Sequence, residues 1–298
     1  MWLLLSILSP ALYSISNFVD KYLVEKKVPD PYVITLLGGF LSGIVGVLMI
    51  FVIGFSNIGI LNTALIILSG MFLTFYLVPY YSAMKMEDAS RVVPYFQFIP
   101  IFVLVFSYLF LHEVLNLWQL LGFLVILVGG YLLAIEDFKI SYFKLRKSIL
   151  LVIFSSFLIA ISNVIFKFVA LKADYWTTLS YQFLGDGVAA FILLMFPGVL
   201  KKTIGSLKWS DFNLWVLLSG NEVNVIVAHL AYTWAILLAP IALVAVIAGI
   251  QPVFVLTYGL ILTLFFPKII KEDIGKNTMV VKTISIVLIV LGIVAINL

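Results

Sequence analysis

The sequence predicts an all-α integral membrane protein: ten transmembrane helices arranged as two inverted five-helix repeats. Three observations carry this. Apolar residues make up 64% of the 298, only 11% are charged, and the mean hydropathy is +1.22. Soluble domains run at about 45–50% apolar and about 25% charged, so lipid must be the solvent for most of this surface. Apolar stretches of about 20 residues, the length a bilayer requires, follow one another along the whole chain. Finally, the first half of the chain is echoed, in order, by the second.

Ten spans are predicted: Trp2–Val24, Tyr32–Phe55, Leu61–Met84, Arg91–Leu111, Leu117–Ile135, Ile149–Leu171, Trp176–Leu200, Phe212–Leu238, Ile241–Phe266 and Met279–Leu298. The opening "MWLLLSILSP" has no basic n-region and no small-residue cleavage site, so it reads as the first membrane helix rather than a signal peptide. The longest polar pieces are Glu136–Lys147, Lys201–Asp211 and Pro267–Asn277, too short for a soluble domain. Gly39 and Gly43 form a GxxxG interleaved with Ser42 and Gly46, a pattern that lets helix backbones approach closely. Pro79, Pro94, Pro100 and Pro252 fall within spans, where each removes a backbone hydrogen bond and favours a bent helix beside a cavity.

The repeat is read from matched segments. "ALYSISNFVDKYLVEK" (Ala11–Lys26) returns as "FLIAISNVIFKFVALK" (Phe157–Lys172), aligning Ser16 with Ser162, Asn17 with Asn163 and Lys21 with Lys167. "PIFVL" at Pro100 returns as "PVFVL" at Pro252. Residues 1–137 form the first unit, 138–148 a basic linker and 149–298 the second. An odd number of spans per unit reverses the second against the first, and inverted repeats suit alternating access around a central site. Basic residues gather in the loops after the odd-numbered spans, from Lys26 and Lys27 to Lys271 and Lys276, while the opposite loops hold only Lys172. The positive-inside rule then places both termini outside the cell.

Polar groups inside spans are expensive and are functional candidates by default. Asp186 lies mid-span between Gly185 and Gly187. Glu222 has Asn221 and Asn224 beside it, and His229 lies two turns along the same face. Glu222 is expected to contact substrate or a proton with help from His229, itself readable as a packing histidine. Lys167 and Lys21 either line the cavity or snorkel to the headgroups. Asn17 and Asn163 either line it or hydrogen-bond between helices. Asp20 lies either at the interface near Lys21 or, as an acidic residue whose counterpart in the second half is Phe166, among the substrate candidates. Tyr76 and Tyr80 on the third span, and Tyr95 with Gln97 on the fourth, are further cavity candidates.

Enzyme readings fail on their motifs. "HEVLN" at His112 lacks the second His of HExxH, "FLGDG" has Phe183 where an intramembrane aspartyl protease needs Gly, and there is no P-loop. The chain has no Cys, which removes thiolate metal sites and disulfides. No cofactor, metal or nucleic-acid partner is expected.

The residues resemble the EamA-type members of the drug/metabolite transporter superfamily. The resemblance lies in "SISNFVDKYL" in the first span and in Tyr80–Leu133, with its Tyr-rich third helix, proline-containing fourth helix, Glu113, Gln119, Gly122, Gly129 and Gly130. It extends over both halves, departing at the first helix, which lacks the family's Trp, and at "FFPKIIKEDIGKNT", which replaces the acidic turn in the second half. The resemblance implies a central cavity and a secondary transporter of small polar or amphipathic organic metabolites. A cavity holding both charge signs would suit a zwitterion, with proton coupling. The alternatives are a flippase for a lipid-linked headgroup and a non-transporting scaffold or sensor.

Overall fold

The computed structural model describes residues 1–87, 92–134, 146–208, 212–265 and 276–297, which form helices and short connections. Most of linker 138–148, Arg91, and the basic residues Lys139, Lys144, Lys268 and Lys271 lie outside the described residues. Eleven helices follow in chain order: α1 Trp2–Lys27, α2 Pro31–Ile53, α3 Ile60–Met86, α4 Tyr95–Leu111 and α5 Leu117–Ala134, then α6 Lys147–Ala170, α7 Tyr175–Leu194, α8 Val199–Lys208, α9 Phe212–Leu238, α10 in two pieces (Ile241–Ala248 and Gln251–Phe265), and α11 Lys276–Ile296. Seven are long and apolar enough to cross a membrane, namely α1, α2, α3, α6, α7, α9 and α10. Shorter apolar helices occupy the remaining three expected spans. The chain is an integral membrane protein, and side chains such as Phe51, Ile60 and Phe191 present their apolar surface outward.

Local chemistry sets several boundaries. Asp30 caps α2 by accepting the Tyr32 amide at 3.0 Å, with Pro31 in the first turn. Asp174 caps α7 through the Thr177 amide at 2.9 Å. The seventh span is shorter than the sequence suggests, ending at Leu194 instead of running to Leu200. Pro197 cannot continue the helix, and Gly198 takes φ +81°. The stretch Lys201–Lys208, expected as polar loop, belongs instead to amphipathic α8, which buries Val199 and Thr203 while exposing Leu200 and Ile204.

Small residues bring the helices together. α2 lies along α7, and α5 along α11. A Cβ on Gly43 would sit 2.7 Å from the Gly187 Cα, and one on Gly122 would sit 2.6 Å from the Gly292 carbonyl. In lipid there is no hydrophobic drive between helices, so this close packing and interhelical hydrogen bonds hold the bundle.

Two helices are interrupted near mid-span. α3 breaks at Tyr76, three residues before Pro79, and the Tyr76 carbonyl accepts from Ser155 Oγ at 3.0 Å. α10 breaks at Gly249–Ile250, just before Pro252, and the Gly249 carbonyl accepts from Gln97 Nε2. At α10 a side chain from another helix takes a carbonyl released from the ladder, while at α3 the Tyr76 carbonyl keeps the Tyr80 amide at 3.2 Å and gains the Ser155 hydroxyl as a second donor.

Polar contacts tie each end of the bundle. At one, Lys21 donates to the carbonyls of Met84 (2.8 Å) and Glu87 (3.0 Å), Ser148 donates to the Glu87 carboxylate (2.5 Å), and Lys202 pairs with Asp30 (2.7 Å). At the other, Glu113, just beyond α4, pairs with Lys167 of α6 at 2.5 Å. The same carboxylate accepts the Ile241 amide at 2.8 Å, while Lys167 also donates to the Ala239 carbonyl at 2.7 Å.

Candidate functional site

A cavity of about 200 Å³ lies among α1, α2, α3, α4, α7, α9 and α10, with Asn163 and Ile159 of α6 at its wall. Both helix interruptions border it, through Tyr76 and through Gly249 and Gln251. Three carboxylates line it, each on a different helix: Asp20 (α1), Asp186 (α7) and Glu222 (α9).

Asp20 is the most elaborately held. Its Oδ2 accepts from the Tyr80 hydroxyl at 3.2 Å, and its Oδ1 accepts from the Tyr81 hydroxyl at 3.2 Å and from Asn221 Nδ2 at 3.1 Å. Upstream, Gln251 Nε2 donates to Asn17 Oδ1 at 2.6 Å, and Asn17 Nδ2 donates to the Tyr80 oxygen at 3.0 Å. Gln251, Asn17, Tyr80 and Asp20 thus form a row with every donor pointing the same way, ending on a carboxylate. Aligned rows of this kind polarise one another and are stronger than isolated bonds.

Glu222 accepts from Ser42 Oγ of α2. Asp186 accepts from Thr74 Oγ1 of α3 at 3.1 Å. Glycines on either side of Asp186 have no room for a side chain, since a Cβ on Gly187 would lie 3.0 Å from the Gly43 Cα, so close backbone contact fixes the carboxylate's position. His229 Nε2 lies 2.8 Å from Gln182 Oε1, and Gln182 Nε2 donates to Ser69 Oγ at 2.9 Å. With the amide oriented by Ser69, its oxygen must accept, which puts the histidine proton on Nε2. The imidazole sits between Phe166 and Phe183, with ring centroids 6.3 Å and 5.9 Å away.

Of the residues anticipated from sequence, Glu222, Asp186, His229, Asn221, Asn17, Asn163, Tyr76, Tyr80 and Gln97 border this cavity. Three do not. Asn224 turns to α1, donating to the Leu12 carbonyl (2.8 Å) and Ser16 Oγ (2.9 Å), and so joins α1 to α9. Lys167 is buried in its pair with Glu113 at the end of the bundle, neither in the cavity nor reaching outward. Tyr95 lies outside the lining, half-buried at the start of α4.

Asp20, readable either as an interface residue beside Lys21 or as a substrate candidate, is only 7% exposed, and Lys21 turns away to Glu25, Met84 and Glu87. α1 continues to Lys27 through a π-helical turn, Leu23–Lys27, leaving Asp20 short of the helix end. Its spacing from Asn17 and Tyr13 is the available signal, because steps of three and four keep all three on one face. Tyr13, Ser42, Tyr232 and Gln251 also border the cavity and have no charged neighbour in sequence to mark them.

The pattern of the EamA-like transporter family matches residues 1–135. Residues 1–135 form an EamA-like transporter domain. This EamA-like domain supplies α1–α5, and with them Asp20, Ser42, Thr74, Tyr80 and Gln97 of the cavity. A solved crystal structure of a protein aligns with 99% of this chain and 94% of its own length, at a TM-score of 0.67 and 18% identity, a likeness of fold. No curated protein sequence matches the chain. Beyond the EamA-like domain, residues 149–298 contribute Asn163, Asp186, Glu222 and Gln251 to the same cavity.

Proposed function

We infer that the protein is a secondary transporter that moves small polar or amphipathic organic metabolites across the cell membrane by alternating access. Ten membrane helices would form two inverted five-helix units, residues 1–137 and 149–298, with both termini outside. The observation that carries this reading is the polar cavity lined from both halves, at the place where α3 and α10 are interrupted. Broken helices and a mid-membrane site between repeats are how secondary transporters expose a substrate to each side in turn.

Two further features support the paired arrangement. Asn17 donates to Tyr80, and Asn163, its counterpart in the second unit, donates to Tyr232 at 3.3 Å. Helices of equal rank also pair, the second of each unit (α2 with α7) and the fifth of each unit (α5 with α11).

Glu222 would contact the substrate or carry a proton, with His229 along the same helix and Asp20 and Asp186 as the other acidic groups in the cavity. The test is uptake into proteoliposomes driven by a pH gradient. Glu222→Gln keeps an acceptor for Ser42 and is expected to abolish gradient-driven uptake while leaving the unfolding temperature close to that of wild type. Unchanged uptake removes Glu222 from the mechanism. Substrates for the assay come from a thermostability screen against metabolites, since a ligand that binds the folded state raises its apparent stability. A reporter enzyme fused at the C-terminus tests orientation, and activity in the cytoplasm would reverse it.

A further inference from the structure

The cavity's charges are one-sided. Asp20, Asp186 and Glu222 line it, and among the described residues no Lys or Arg does. Elsewhere four carboxylates have basic partners: Glu25 with Lys21 (2.9 Å), Asp30 with Lys202 (2.7 Å), Glu87 with Arg146 (3.6 Å) and Glu113 with Lys167 (2.5 Å). The three cavity carboxylates accept from neutral groups instead, namely the hydroxyls of Ser42, Thr74, Tyr80 and Tyr81 and the Asn221 amide. His229, which also borders the cavity, is held to Gln182.

A second observation is independent of the carboxylates. Gln97 is only 5% exposed, and its Oε1 has no hydrogen-bond partner. Its Nε2 is engaged by the Gly249 carbonyl, so turning the amide over would lose that bond. Asn221 repeats the pattern, with Nδ2 donating to Asp20 and a buried Oδ1 left without a donor. A buried acceptor without a donor is costly, and both of these residues border the cavity. What the site lacks is hydrogen-bond donors for these oxygens and, among the described residues, a Lys or Arg.

The aromatic wall fits the same ligand. The Tyr80 ring lies 5.1 Å from Tyr81, 5.6 Å from Phe96 and 6.3 Å from Tyr76, measured between centroids, beside the Asp20 carboxylate. Such faces attract cations and also accept an apolar body.

We propose that the cavity binds an organic ammonium ion, its N–H groups shared among Asp20, Asn221 Oδ1 and Gln97 Oε1 and its apolar or aromatic body against Tyr76, Tyr80, Tyr81 and Phe96. This narrows the substrate from a zwitterion to a cation. The zwitterion expectation needs a basic group in the cavity, and Lys167 lies instead at the end of the bundle in its pair with Glu113. A substrate carboxylate would find no Lys or Arg among the described residues that line the cavity. The proposal rests on the transport reading only for movement across the membrane, not for binding.

The experiment uses the purified full-length protein and four probes sharing one aromatic body: phenethylamine, phenethyl alcohol, phenylalanine and 3-phenylpropionate. Unfolding temperature and calorimetric binding are read at neutral pH. Phenethylamine is expected to raise the unfolding temperature and bind at least about tenfold more tightly than the other three, a difference of about 1.4 kcal/mol. Asp20→Asn should remove that preference. If that variant does not fold, Glu222→Gln should weaken amine binding in its place. Binding of phenylalanine, phenylpropionate or the alcohol as tight as the amine overturns the proposal, as does no response to the amine. Proteoliposome counterflow of phenethylguanidinium, which keeps N–H donors and does not lose its charge at neutral pH, separates the two readings. Amine binding without protein-dependent flux removes transport and leaves the cation site. Flux of phenylalanine without amine binding does the reverse.

Discussion

Asn17 and Tyr80 meet at 3.0 Å, the amide donating to the phenol oxygen, and the phenol donates its own proton to Asp20 at 3.2 Å. Asn163 and Tyr232 make the corresponding bond at 3.3 Å, but no carboxylate follows, because Phe166 stands where the first half has Asp20. One architecture therefore carries a charged terminus in one half and an apolar one in the other.

Removing the two hydroxyls should have unequal effects. Tyr80→Phe deprives Asn17 of an acceptor and Asp20 of a donor, whereas Tyr232→Phe affects the Asn163 bond. Interhelical hydrogen bonds in membranes average about 0.6 kcal/mol, with a maximum of about 1.7. Tyr80→Phe is expected near the upper figure and Tyr232→Phe near the lower. Unfolding in mixed micelles reads both, and equal losses would show that the Asp20 contact adds nothing.

Lys167 and Glu113 form a buried pair with two backbone bonds around it. Breaking such a pair from one side costs about 3–5 kcal/mol because a charge is left unpaired. Lys167→Met is expected to fall in that range. Adding Glu113→Gln, which keeps an acceptor for the Ile241 amide, should recover most of the loss. The double-mutant cycle checks this, and simple additivity would mean that the two charges are not coupled.

Glycines give a sharp contrast between sites. A Cβ on Gly70 would overlap the Gln182 carbonyl oxygen of α7, so Gly70→Ala should cost about 1–3 kcal/mol as α3 and α7 separate. Gly220, on α9 one residue before Asn221, has open space within 4 Å of the point a Cβ would occupy. Gly220→Ala should leave stability unchanged or slightly higher. Thermal unfolding of the two variants side by side is the measurement.

The Asp30–Lys202 pair predicts a pH effect at the loop end of the bundle. Burial pushes the Asp30 carboxyl up, but the Lys202 hydrogen bond and charge and the Tyr32 and Val33 amides outweigh it and hold the group below its ordinary value. A carboxylate lowered on folding stabilises the fold above its unfolded value of about 3.9 and loses that contribution as pH falls through the folded one. Asp30→Asn is therefore expected to be destabilising at pH 7, with the difference from wild type shrinking as the pH falls below about 4. A constant difference across that range would assign the effect to the helix cap alone.

The spans are legible in the sequence because a bilayer imposes both length and apolarity; α9, Phe212–Leu238, matches its expected bounds to the residue. The seventh span reads too long because Met195 and Phe196 continue its apolar run, although Pro197 and Gly198 already mark the stop. Glu222 and Asp186 stand out as isolated charges deep in apolar sequence. Asp20 does not, since Lys21 and Glu25 beside it imitate a helix end, and only the added π-turn sets its depth. The partner of Lys167 is hidden for another reason. Glu113 is far away in sequence, and pairing across helices leaves no local signal.

The row from Gln251 through Asn17 and Tyr80 has a direction, and that direction depends on what Asp20 holds. While the carboxylate is bare, every hydrogen in the row leans toward it. A guest that supplies its own hydrogens competes with the Tyr80 proton for the same oxygen, which loosens the phenol and, through Asn17, the grip on Gln251. Gln251 begins the second piece of α10, just past its interruption. Filling one pocket on α1 would therefore be felt as slack in a joint on α10, a signal carried by the weakening of successive hydrogen bonds along the row.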